Sequence, residues 1–109
     1  MDTRAQRRAA WNEDLFRETN EAIERGMWRS DPDRLVRFRC ECVDMACGAA
    51  LEATLREYEQ VRHSPRRFLI VAGHVTPEVE VVVERTARYL VVEKKELAGV
   101  ITEDADPRA

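Results

Sequence analysis

The sequence predicts a small, single-domain α+β fold: an N-terminal helix, a cysteine-rich zinc-binding hairpin, a short helix and a small antiparallel sheet. Three observations predict it. An apolar stripe at helical spacing lies near the N-terminus, several short segments alternate or are rich in Val, and three Cys fall within eight residues. At 109 residues the chain is long enough for one modest core. The reading places the zinc-stabilised domain at residues 9–100, with residues 1–8 and 102–109 as loose, polar ends.

Residues 9–29 read as the first helix. Trp11, Leu15, Ala22, Gly26 and Met27 form the stripe, flanked by Phe16 and Ile23, and Glu13–Arg17 and Glu21–Arg25 are favourable i,i+4 pairs. Ser30-Asp31-Pro32-Asp33 ends it. If Trp11 and Leu15 face the core, Phe16 and Trp28 are left outward, and such an aromatic pair suits docking of a protein partner or a homodimer contact.

Residues 35–42 alternate, with Val36, Phe38, Cys40 and Cys42 on one face and Arg37, Arg39 and Glu41 on the other, as in a half-buried strand. Residues 50–53 return as its hairpin partner. Thr54 and Glu57 match a capping box, followed by a helix face of Leu55, Tyr58 and Val61 that His63-Ser64-Pro65 closes. Residues 68–72 form an apolar strand. Residues 79–85 and 89–93 form a second hairpin around Thr86-Ala87-Arg88, with a helix from Thr76-Pro77-Glu78 as the competing assignment. Ala98-Gly99 reads as a turn before the tail.

The chemistry lies in Cys40, Cys42 and Cys47, a C-x-C-x4-C cluster. In extended chain, residues i and i+2 point the same way, so two thiolates converge on one ion, and the loop to Cys47 folds back to bring a third. Gly48 is placed to take a positive φ beside it. The fourth ligand is assigned to His74, at a strand end after Gly73, with His63 and Asp44 as fallbacks. Zinc is the expected ion, and iron stays open. Inert free thiols, a reactive-thiol or iron–sulfur site, and a Cys–His enzyme are the competing readings. A Cys40–Cys42 disulfide closes too small a ring.

No apolar run reaches the length of a membrane span and no signal peptide is visible, so a cytoplasmic protein with reduced thiols is expected. Of 18 basic residues all but Lys94 and Lys95 are Arg, as in GC-rich genomes. The net charge of −3 argues against nucleic acid as the partner. The expected function is a non-enzymatic, regulatory protein-interaction module with structural zinc. The alternatives are a zinc-containing transcription regulator and a thiol or metal-dependent enzyme; no P-loop, G-x-S-x-G or H-x-E signature supports the last.

The run Phe38-Arg39-Cys40-Glu41-Cys42, then Cys47, Glu57-Tyr58-Glu59-Gln60-Val61-Arg62, Pro65, Phe68, Gly73-His74 and Tyr89–Lys94 resembles a group of small bacterial proteins. These uncharacterised proteins come from GC-rich Gram-positive bacteria and share F-x-C-E-C, a third Cys, E-Y-E-x-V-R and G-H. The resemblance covers roughly residues 11–96 and extends upstream to Leu15–Glu21. It implies no activity, but its recurrent Gly-His favours His74 over His63 as the fourth ligand.

Overall fold

The computed structural model describes residues 1–27 and 29–108, and its elements alternate along the chain. Helix α1 (Thr3–Gly26) begins well before residue 9, because Asp2 caps it by accepting a hydrogen bond from the Ala5 N–H at 2.7 Å. Strands β1 (Leu35–Arg39) and β2 (Ala50–Thr54) pair antiparallel, with Val36 opposite Ala53 and Phe38 opposite Leu51. Helix α2 (Leu55–Arg62) follows directly. Then come β3 (Arg67–Ile70), β4 (Glu80–Arg85) and β5 (Leu90–Lys94), which form a three-stranded antiparallel sheet in the order β3-β5-β4. Helix α3 (Glu96–Asp104) closes the chain.

Two apolar clusters fill the interior. Val36, Phe38, Leu51, Ala53, Leu55, Tyr58 and Val61 pack against Leu69 and Val91 from one face of the larger sheet. Phe68, Ile70, Leu90 and Val92 on its opposite face pack with the three cysteines. Phe38 and Tyr58 stack with ring centroids 4.6 Å apart.

The buried face of α1 differs from the expected stripe. Trp11 is 66 % exposed and Leu15 37 %, whereas Phe16, expected outward, is 4 % exposed under the Arg39 guanidinium. Trp28 lies outside the described residues. The face that turns inward carries Ala9, Ala10, Glu13, Phe16, Arg17, Asn20 and Glu21. Four of those are polar, and each meets a partner supplied by the rest of the fold, so burying them costs less than apolar periodicity alone implies.

The expected turn at Ala98-Gly99 is instead the middle of α3. A Cβ on Gly99 would sit 2.6 Å from Arg66 Nη1 and 3.0 Å from the Lys94 carbonyl, so the glycine allows close approach and marks no chain reversal. The expected loose C-terminal end is tied down. Arg62 pairs with Glu21 and, at 2.5 Å, with Asp106, while Arg108 reaches Glu21, Glu24 and Glu59. Arg17 donates to the carbonyls of Pro65 and Thr102, each at 2.8 Å.

The capping box joins the two halves. Glu57 Oε1 accepts from the Thr54 N–H at 2.8 Å, and its carboxylate also accepts from Arg88 and from the Tyr89 hydroxyl. Burial pushes this carboxyl up, but Arg88, Thr54 and Tyr89 outweigh it and hold its pKa down to about 2. A depressed carboxyl stabilises the fold above its unfolded value of about 4.5, and that contribution is lost as pH falls toward 2. Glu57→Gln is therefore expected to cost about 1–2 kcal/mol at neutral pH, the ion pair being half-exposed and partly screened. It should also flatten the acid side of a stability–pH curve between about 4.5 and 2. An unchanged acid limb in urea titrations across that range counts against this role.

Candidate metal centre

The site forms where the two sheets meet. Strand β1 ends at Arg39, three residues short of the end of the predicted strand, and the Cys40 N–H donates to the carbonyl of Ala49, the residue before β2, at 3.0 Å. Glu41 then leaves that ladder for the other sheet: its N–H donates to the Leu69 carbonyl at 2.8 Å, and the Leu69 N–H donates back to Glu41 Oε1 at 2.8 Å. Extended geometry sends Cys40 and Cys42 to one side and Glu41 to the other.

Cys47 follows a turn fixed by Asp44, whose side chain accepts from the Ala46 N–H at 2.9 Å and whose carbonyl accepts from the Cys47 N–H at 3.0 Å. Asp44 thus shapes the loop and lies outside the ligand cluster. His74 comes from the turn after β3, where its N–H donates to the Val71 carbonyl at 3.1 Å. The glycine that takes a positive φ is Gly73, at +89°, and not Gly48. His63 caps the C-terminus of α2 and takes no part in the cluster.

One donor atom from each of Cys40, Cys42, Cys47 and His74 lies within 4.8 Å of all the others. His74 Nδ1 is 3.5 Å from Cys40 Sγ and 3.6 Å from Cys47 Sγ. A tetrahedral zinc with ordinary Zn–S and Zn–N bonds has a sulfur–nitrogen edge of about 3.6 Å. The spacing therefore fits a metal tetrahedron with His74 ligating through Nδ1. All three thiols are buried, and Cys40 Sγ also accepts from the Val71 N–H at 3.2 Å. Hydrogen bonding from Cys40, with further donors in the Asp44 N–H, Cys47 and His74, overcomes burial and lowers the Cys42 thiol to about 5. The same Cys40–Cys42 contact, together with burial, raises the Cys40 thiol. The cluster thus favours one thiolate, the form that binds metal.

The supports of this site were not legible in the sequence. Asn20 of α1 donates to the Arg39 carbonyl and accepts from the Arg39 N–H, both at 2.8 Å, and donates to Glu41 Oε2 at 2.9 Å. Tyr58 donates to the same oxygen at 3.1 Å. Burial raises the Glu41 carboxyl, against the pull of these donors. Asn12 donates to the Val43 carbonyl at 2.8 Å, and Arg39 to the Cys47 carbonyl at 2.7 Å.

Beside the cluster, Lys94 pairs with both Glu13 and Glu80, all fully or almost fully buried. Glu80 also accepts from the Thr76 N–H at 2.9 Å, which anchors the loop that carries His74. Burial pushes Glu13 up to about 7 although Lys94 pulls it back, and burial lowers Lys94.

The expected ligand set is thus brought together. Of the expected interaction pair, Phe16 is core, and the large apolar side chains that α1 exposes are Trp11 and Leu15. No helix among the described residues is long and apolar enough to cross a membrane. The chain matches no protein-family model, no curated protein and no solved structure.

Proposed function

We propose that the protein is a non-enzymatic, cytoplasmic protein-interaction module of regulatory type, built around one structural zinc ion. The observation that carries this reading is the fit of three thiols and His74 Nδ1 to the edges of a zinc tetrahedron. Four protein donors leave no position for water or substrate, which favours a structural role for the ion over a catalytic one. The site's place at the seam supports the same reading, since bound metal would tie the β1–β2 hairpin to the loop after β3. A net charge of −3 supports protein over nucleic acid as the partner.

The test is elemental analysis of protein purified without chelator, combined with X-ray absorption at the metal edge. One zinc per chain with three sulfur neighbours and one nitrogen is expected. Absence of metal, iron in its place, or a water-derived oxygen in the first shell sinks the structural-zinc reading. His74→Ala should replace the nitrogen neighbour, whereas His63→Ala should leave the spectrum as it was.

A further inference from the structure

We propose that the exposed face of α1 is a self-association surface, on which a second copy of this chain docks with its own α1 running antiparallel. The inference deepens the interaction reading above and rests on it for purpose, but its geometry is independent of the metal.

On one outward face of α1 lie Arg4, Arg7, Trp11, Leu15 and Glu18, all exposed, with Asp14 at the edge. At 100° per residue these positions span about a quarter of the helix circumference. Trp11 and Leu15 line a groove of about 450 Å³ against Ile101 of α3 and Ala105, the residue that caps its C-terminus. An indole exposed to this degree beside Leu15 and Ile101 is an apolar patch of the kind that marks an interaction surface.

The charges choose the occupant. The first two turns of the face are basic and the turns after Trp11 are acidic. Among the described residues, Arg4, Arg7 and Glu18 form no ion pair within the chain. A two-fold axis passing near residues 11–13 sets each basic end against an acidic end. Arg7 then meets the partner's Glu18 and the partner's Asp14, and Trp11 meets the partner's Leu15. Each contact occurs twice, as an isologous interface requires. A parallel pair would oppose like charges at both ends, which disfavours it.

The zinc-loaded full chain is examined by sedimentation equilibrium or light scattering at tens of micromolar. A mass about twice 12.6 kDa is expected. Trp11→Glu should weaken the dimer at least a hundredfold, and Arg7→Glu at least tenfold with an unchanged thermal melt of the monomer, because both side chains point to solvent. Arg7→Glu combined with Glu18→Arg should restore association, since the swap recreates both pairs in a symmetric dimer. A monomeric wild type, a dimer indifferent to Trp11→Glu, or a swap that fails to restore it overturns the inference. If the zinc-loaded protein is monomeric the surface assignment fails alone. If the protein purified without chelator carries no metal and still dimerises, the zinc reading fails and the surface stands.

Discussion

On the structural-zinc reading, Cys42→Ser is expected to abolish metal binding and to lower the melting temperature by roughly 15–30 °C, the largest change expected of any single substitution in this domain. Structural zinc contributes on the order of 10 kcal/mol of apparent binding free energy, and binding is coupled to folding wherever the site is absent from the unfolded chain. Loss of even about 4 kcal/mol moves the melting point of a domain this size by that range. The Ser side chain is nearly isosteric, so the effect reads out the missing thiolate and not a packing void. Treatment of the wild type with a strong chelator should reproduce the shift, and acidification should do the same, because protons compete with metal for the thiolates. His63→Ala serves as the control. Melts that coincide with and without chelator would show that the β1–β2 hairpin and the β3 turn hold together without a shared ion.

The second large effect is expected at Lys94. Lys94→Met keeps an unbranched side chain of similar length but removes the ammonium that lies 5.6 Å from the Phe68 ring centroid and pairs with both Glu13 and Glu80 in a buried site. Removing one partner of a buried ion pair costs about 3–5 kcal/mol. The deficit carries a pH signature. Glu13 already sits at about 7 against an ordinary 4.5, so its protonated form is the one the fold favours. Such a group contributes fully below its unfolded pKa, and the contribution is lost as pH rises through the folded value. Without Lys94 to lower it, that folded value moves higher still. The gap between variant and wild type in urea denaturation should therefore be wider at pH 8 than at pH 6. Adding Glu13→Gln should recover a large part of it. A pH-independent gap, or none, would mean that the triad is neutral in the folded state.

Both effects rest on residues of unequal visibility in the sequence. The ligands were legible because a metal needs several donors of one kind within bond length, and C-x-C-x4-C provides three of them locally. The strands around them were legible through alternation, and α2 through its Thr54–Glu57 box. What α1 buries was not, because the partners of its polar face are distant. Arg17 donates to Thr102, 85 residues away, and Glu21 accepts from Arg108 across 87. A polar residue with a distant partner has the same local signature as one in solvent. Hence apolar periodicity alone points Phe16 outward and Trp11 inward and leaves the C-terminal end loose. Gly48 and Gly73 were equally open from sequence, and only the turn that delivers His74 decides which adopts positive φ.

The division of ligands between a local cluster and one remote histidine bears on the order in which the domain assembles. The three thiols can gather on a metal with almost no loop to close, so the loop that joins β1 to β2 can become ordered around the ion while the rest of the chain is unfolded. His74 is 27 residues beyond Cys47, so bringing it to the ion would close a longer loop, one that holds β3 and its contact with the Glu41 backbone. A bound ion would thus act first as a nucleus and then as a latch. Early capture would bias the search toward native strand pairing, and a histidine bond formed late would slow the separation of the two sheets.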